Sequence, residues 1–240
     1  MAKFETIADL IKQRIDDGTY SSAQKLPSEY QLSVEFDVSR LTVRKAIDAL
    51  IQAQILIKDP GKGTYIMSPP TQDKVESGRM GLQGFTEAAK MYGKQSHTEV
   101  LSFEPLPNPD ASVQQQLDLA HRLHPAVSKL VRRRFWDDDP MTVESIVILD
   151  EYIPDATVND FTGSLFDLLS QHVEIAYSHQ EIEAILVDAT MADLLAVKVG
   201  DPLLQVQSVT YTADARPIFF DTSYYRADKY AFKSTLTRFR

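Results

Sequence analysis

Residues 26–50 read Leu26-Pro27-Ser28-Glu29-Tyr30-Gln31-Leu32-Ser33-Val34-Glu35-Phe36-Asp37-Val38-Ser39-Arg40-Leu41-Thr42-Val43-Arg44-Lys45-Ala46-Ile47-Asp48-Ala49-Leu50. Ser28 and Gln31 stand at capping-box spacing, so a short helix opens after Ser28 with Leu32 and Phe36 facing inward. Asp37-Val38-Ser39 turns the chain, and Ser39 caps a second helix. Val43, Ala46, Ile47 and Leu50 form the apolar stripe of that helix. Arg40 and Arg44 are four residues apart and share its outer face.

Upstream, Ile7, Leu10, Ile11 and Ile15 predict an amphipathic helix ended at Asp17-Gly18. Downstream, Ile55–Lys58 and Thr64–Met67 flank Pro60-Gly61-Lys62-Gly63, a two-stranded wing with a glycine turn. The order is helix, helix, turn, helix, wing. A helix of this kind fits the major groove. Arg40 and Arg44 can each donate two hydrogen bonds to guanine. Thr42 suits a phosphate or a thymine methyl, and Lys45 a phosphate. The helix starts at Ser28 and Ser39 offer N–H groups to phosphate oxygens, and Gly61, Lys62 and Gly63 place a thin tip at the minor groove.

The chain has 240 residues, room for this small head and a larger body. Its hydrophobic fraction, 43%, supports a core in each. It has no cysteine, which excludes disulfides and thiolate metal sites and suits a reducing compartment. With no signal-like or bilayer-length apolar run, the expected location is cytoplasmic, without a membrane partner. Net charge is −9, yet residues 1–68 hold nine Lys/Arg and nine Asp/Glu, so the whole excess lies beyond them. DNA affinity depends on the local field at the contact face, so the acidic total does not exclude it.

Ser68–Asp73 reads as a proline-stiffened linker, and the boundary between head and body is set over residues 69–75. Beyond it the chain predicts a helix capped by Thr86 and closed by Gly93, a strand over Thr98–Phe103, and a helix over Ala111–Leu119. A hairpin of Val127–Trp136 and Met141–Tyr152 follows, then a helix from Ser164 to Gln171. Last come a strand over Glu174–Val187, a helix over Ala189–Ala196, and a hairpin of Leu203–Thr212 and Pro217–Tyr225. The expected class is α+β: a winged helix-turn-helix head over 1–68, and over 76–240 a mixed, mostly antiparallel sheet with helices on one side. Arg132 and Arg134 lie on one face of their strand, two like charges that an anion would reconcile. His121 and His124 have metal-pair spacing, but His124-Pro125 reads as a helix end and no carboxylate motif accompanies it. No metal or cofactor is expected. Asp137-Asp138-Asp139 reads as a turn, and Phe135 and Trp136 as core.

Leu26-Pro27-Ser28-Glu29, Val38–Ala46 and Gly61-Lys62-Gly63-Thr64-Tyr65 resemble the winged-helix signature of GntR-family transcription regulators. Gly84-Phe85-Thr86-Glu87, Arg132-Arg133-Arg134, Glu144, Gly163-Ser164-Leu165-Phe166, Gly200-Asp201-Pro202 and Tyr224–Tyr230 resemble the UTRA effector-binding domain of the HutC-type subfamily. The resemblance implies a homodimeric repressor on a near-palindromic operator, controlling a catabolic or transport operon and answering a small anionic metabolite, a sugar phosphate first. It implies an anion grip of Arg132 and Arg134 faced by Ser164, Phe85 and Thr86, with Glu144 taking effector hydroxyls and Phe166, Asp221 and Tyr225 completing the site.

Two departures stand out. Tyr30 occupies a position where the family commonly has an operator-contacting arginine. Phe219 stands where relatives that bind amino-sugar phosphates often have glutamate. Two alternatives remain at this point. The UTRA fold resembles chorismate lyase, which would make the body an enzyme with a DNA-binding head. The other large GntR branch has an all-helical body.

Overall fold

The computed structural model describes residues 3–20, 25–53, 55–59, 63–66, 74–77 and 82–233. It divides into two compact units, the first built on the chain up to Gln72 and the second on Asp73–Ser77 and Leu82–Phe232. Gly61, Lys62 and the expected linker residues 69–73 lie outside the described residues.

In the first unit, α1 (Lys3–Asp16), α2 (Glu29–Glu35) and α3 (Arg40–Gln52) precede β1 (Leu56–Asp59) and β2 (Gly63–Ile66). The α1 stripe narrows relative to expectation. Ile7, Ala8 and Ile11 are buried, whereas Leu10 is exposed. At 100° per residue Leu10 falls about 60° outside the arc that those three and Ile15 define. Ser28 closes a complete capping box with Gln31 on α2. Ser39 accepts from the Thr42 amide at 3.1 Å on α3. Asp37 supplies the left-handed turn between them at φ 50°. Val43, Ala46, Ile47 and Leu50 are all buried against Ile7, Ile11, Leu26, Leu32, Leu56 and Ile66. The wing is an antiparallel pair extended by Leu26, whose amide donates to the Thr64 carbonyl at 2.7 Å. Gly63 takes φ +132°, which a side chain would strain.

The second unit is a six-stranded sheet in the order β4-β5-β6-β9-β8-β7, every pairing antiparallel. Its strands are β4 (Ser96–Pro105), β5 (Val127–Trp136), β6 (Asp139–Leu149), β7 (Tyr177–Leu186), β8 (Pro202–Tyr211) and β9 (Pro217–Arg226). This excludes the all-helical body. The parallel pairing lies outside that sheet, between β3 (Val75–Ser77) and β10 (Tyr230–Phe232). Helices α4 (Phe85–Met91), α5 (Ala111–Gln116), α6 (Leu165–Leu169) and α7 (Ala189–Leu195) complete the unit.

Several boundaries move. Gly84, not Thr86, is the N-cap of α4, because Thr86 lies within the first turn and its hydroxyl serves another group. The helix expected over Ala111–Leu119 breaks at Asp118, which turns left-handed at φ 52°. The 127–152 hairpin turns on Asp137-Asp138, so Asp139 and Pro140 join β6. A register shift between Arg134 and Phe135 absorbs the odd residue. Tyr152 ends a single 3-10 turn rather than the strand, and α6 stops at Leu169, two residues short of Gln171.

Candidate nucleic-acid interface and buried arginine site

On the head, Arg40 and Arg44 project from the first turns of α3 with side chains 62% and 52% exposed. They are not free. Arg44 donates to both Glu29 oxygens, at 2.9 and 3.3 Å, and Arg40 lies 3.7 Å from the same carboxylate. The hydrogen bond from Arg44 is the main reason the Glu29 carboxyl is held below its ordinary pKa. Glu29 is in the first turn of α2, so this ion pair ties the two helices of the motif together. Tyr30 is exposed beside it, as are Ser28, Ser39 and Lys45. Thr42 is partly buried and its hydroxyl shares a 2.8 Å hydrogen bond with that of Ser39. The partly buried Glu29 carboxylate on α2 and the two exposed guanidinium groups on α3 form a surface that can exchange an internal carboxylate for base edges or phosphates.

The body places its site on one face of the sheet, in three rows set by register. Thr98, Arg134, Thr142 and Tyr225 stand side by side across β4, β5, β6 and β9. Val100, Arg132, Glu144 and Ser223 form the next row. Ile146, Asp221 and Ser208 form the third, across β6, β9 and β8. Arg132 and Arg134 are only 1% and 3% exposed. Glu144 lies between them. One of its oxygens accepts from Arg132 Nη2 at 2.5 Å and Nε at 3.1 Å, and the other from Arg134 Nη1 at 3.5 Å. Arg132 also donates to the carbonyls of Phe161 and Gly163 at 3.4 and 3.5 Å. Arg134 donates to Thr98 Oγ1 at 3.2 Å and Thr86 Oγ1 at 3.0 Å, and its guanidinium carbon lies 4.3 Å from the Phe85 ring centre.

Burial would raise the Glu144 pKa, but the two guanidinium charges outweigh it and hold the carboxyl low. Burial lowers that of Arg134, with Glu144 opposing. Asp221 is bonded by the hydroxyls of Ser208 and Ser223, and burial pushes its pKa up to about 6. Burial likewise raises that of Tyr225, whose ring packs edge-on against Tyr230 and Phe232.

The expected residues therefore fall together unevenly. Phe85, Thr86, Arg132, Arg134 and Glu144 are in direct contact. Tyr225 lies one strand away. Ser164 is turned to its own helix, capping α6 through the Asp167 amide, and reaches the cluster only through the neighbouring Gly163 carbonyl. Phe166 stands beside Gly84 and 6.4 Å from Phe219. The expectation that Glu144 is open to effector hydroxyls meets a carboxylate already engaged by both arginines. Thr98, Thr142, Ser208 and Ser223 were not anticipated. All four follow from pairing alternation once register is known. The Thr142 hydroxyl is buried beside Arg134 without a hydrogen-bond partner.

The other candidates resolve as structure. His121 bonds Asp118, and His124 takes φ 53°. Among the described residues no group of three or more His, Cys, Asp or Glu side chains is placed to hold a metal ion. Asp137 pairs with Lys94, and Asp139 with Lys229. Trp136 is core, packed against Phe85, Tyr92 and Tyr230, while Phe135 is half-buried and stacks on His97.

Residues 3–66 match the description "Bacterial regulatory proteins, gntR family", and residues 91–231 match the UTRA domain. The chain belongs to the GntR family. Within it, the UTRA body gives the HutC-type arrangement. The chain is 27% identical over 235 residues to the HTH-type transcriptional repressor NagR of Bacillus subtilis, covering 97% of this chain and 93% of that one. It is 30% identical over 231 residues to the mannosyl-D-glycerate transport/metabolism system repressor MngR of Escherichia coli, covering 95% and 93%. The solved structure of the possible transcriptional regulator YydK from Bacillus subtilis superposes with a TM-score of 0.72 at 16% identity, over 99% of this chain and all of that one. The family is one of transcription regulators, not enzymes, which removes the chorismate-lyase-like alternative. No helix among the described residues is long and apolar enough to cross a membrane.

Proposed function

We propose that this GntR regulator is a cytoplasmic repressor of a catabolic or transport operon, acting as a homodimer on a near-palindromic operator. Residues 1–68 serve as the DNA-reading head, and the sheet unit serves as the effector-binding and dimerising body. Ser28, Tyr30, Ser39, Arg40, Thr42, Arg44, Lys45 and the Gly61–Gly63 wing tip contact DNA. The repressor reading is supported by relatives that carry that name along nearly their whole length. Twofold protein symmetry calls for a twofold site.

The effector is a small anion, a sugar phosphate first. One observation carries this: two guanidinium groups are buried against a single carboxylate, Glu144. Glu144 is the carboxylate in contact with both guanidinium groups, while Asp221 stands a row away, held by Ser208 and Ser223. An incoming anion with several acceptor oxygens would engage the guanidinium donors directly. Phe85 and Thr86 contact Arg134, and in this reading Ser164, Phe166, Asp221 and Tyr225 complete the site around the bound anion. MngR, named for a carboxylated sugar, is in keeping with an acidic carbohydrate. Coupling to the head of about 1–3 kcal/mol suffices for a several-fold to hundredfold change in operator affinity.

The test is a thermal-shift screen of phosphorylated sugars and sugar acids, followed by operator binding with each hit. Arg134→Ala should retain operator binding and lose the effector response. A variant that still responds fully would place the effector elsewhere.

A further inference from the structure

The sheet ends on two edge strands of different character. β4 carries a register shift between Val100 and Ser102 and ends at Pro105, both of which discourage another strand from adding to it. β7 has neither. It pairs with β8 through ten consecutive residues without a shift, and its sequence, Tyr177–Leu186, contains no proline, glycine, lysine or arginine. Its outer side is open: Ile182 is 43% and Leu186 72% exposed, and His179–Glu183 are all exposed. An unguarded strand of this length is a template for another strand.

The backbone parity of β7 is fixed. Leu186 faces Pro202, which has no N–H, and the Val187 amide donates to the Asp201 carbonyl at 2.9 Å. The odd-numbered residues therefore exchange hydrogen bonds with β8, and Ser178, Gln180, Ile182 and Ala184 direct theirs outward. Overlap and charge then select among the twofold registers. Centring on Ser178 or His179 pairs only three or five residues of β7 with the partner's β7, against seven for Gln180. Centring on Glu181 or Glu183 opposes a glutamate to its own copy. Centring on Ile182 opposes Glu181 to the partner's Glu183 twice. Centring on Ala184 runs the strand into the α7 segment of the partner. Centring on Gln180 places Glu181 across from the partner's His179 and Glu183 across from the partner's Tyr177, with Ile182 beside the partner's Ser178. No like charges are opposed, and the acceptors meet donors.

Resting on the homodimer reading above, we propose that β7 is the dimer seam. Two copies join antiparallel along this strand about an axis through Gln180, turning two six-stranded sheets into one of twelve. The occupant of the edge is a second copy of this chain, and pairing it closes the assembly because β4 is guarded.

The chain contains no cysteine, so an introduced thiol reports without background. Gln180→Cys sets two thiols on opposing residues with Cα atoms about 5.5 Å apart, inside disulfide range. Glu183→Cys sets them about 20 Å apart, six residues along the ladder. Under mild oxidation the full-length Gln180→Cys protein should become a covalent dimer on a non-reducing gel, while Glu183→Cys stays monomeric. Circular dichroism of both variants checks that each is folded. Cross-linking of both at equal rates, or of Glu183→Cys alone, overturns the register. A protein that sediments as a dimer while Gln180→Cys stays uncross-linked puts the seam elsewhere. A monomer in sedimentation overturns it too, and operator retardation measured on the same sample reports separately on the regulator reading.

Discussion

Replacing Glu144 by glutamine removes the single negative charge between two buried guanidinium groups while keeping the side-chain shape. In the wild-type protein that carboxylate accepts three hydrogen bonds, from Arg132 Nε and Nη2 and from Arg134 Nη1. Breaking a buried ion pair from one side costs about 3–5 kcal/mol. Glutamine retains one acceptor oxygen, which points to the lower end, about 3 kcal/mol. For a unit of this size each 1 kcal/mol moves the midpoint by about 2–4 °C, so the melting temperature should fall by about 6–12 °C. The same substitution leaves the guanidinium pair short of a partner, so an added anion should recover part of the loss. The assay is thermal unfolding by circular dichroism in a phosphate-free buffer, with and without millimolar inorganic phosphate. Glu144→Gln should melt lower than wild type without the anion and gain more from it. An unchanged melting temperature, or an equal gain in both proteins, would refute the view that Glu144 is the counter-charge of the site.

Arg40→Ala and Arg44→Ala should each weaken specific operator binding by about 1–3 kcal/mol, or roughly five- to 150-fold, read by fluorescence anisotropy against random duplex; equal specificity would remove α3 from the groove. Tyr30→Phe should weaken operator affinity by about 1 kcal/mol through loss of a phosphate hydrogen bond, and no change would mean that the hydroxyl makes no contact. Asp221 has its folded pKa raised from 3.8 to about 6, so the fold prefers its neutral form. The penalty is present above pH 6 and fades as pH falls toward 4. Asp221→Asn should therefore be more stable than wild type in urea unfolding at pH 7, with an advantage about 1 kcal/mol smaller at pH 5. An advantage that does not shrink would mean another group dominates that window.

Most of the head's fold was readable because its signals are local, although Leu10, expected on the α1 stripe, is exposed. Ser28 and Ser39 cap the helices that follow them, and the α3 stripe buries the four residues named for it. The hairpins of the body were also visible, since their alternation spans few residues. What escaped was non-local or contested. β3 and β10 are three-residue strands, and Val75 pairs with Tyr230 far along the chain, so neither carries a pattern of its own. Thr86 has the composition of a cap, yet the Arg134 guanidinium claims its hydroxyl. Arg132 and Arg134 read as an anion grip, but the two-residue turn and the bulge that bring Glu144 opposite Arg132 depend on one odd residue that spacing alone does not place.

The Glu29 carboxylate on the head has a consequence for searching a genome. It carries the sign of a duplex backbone, occupies the fork of Arg44 and lies 3.7 Å from Arg40. If these arginines read the operator as proposed, a random stretch of DNA would offer them little that they do not already have, and loose encounters would be short-lived. Only a sequence presenting guanine edges at the right rise compensates for letting the carboxylate go. On the proposed reading, the acid next to Arg44 would act as a threshold, shortening the time spent at wrong addresses.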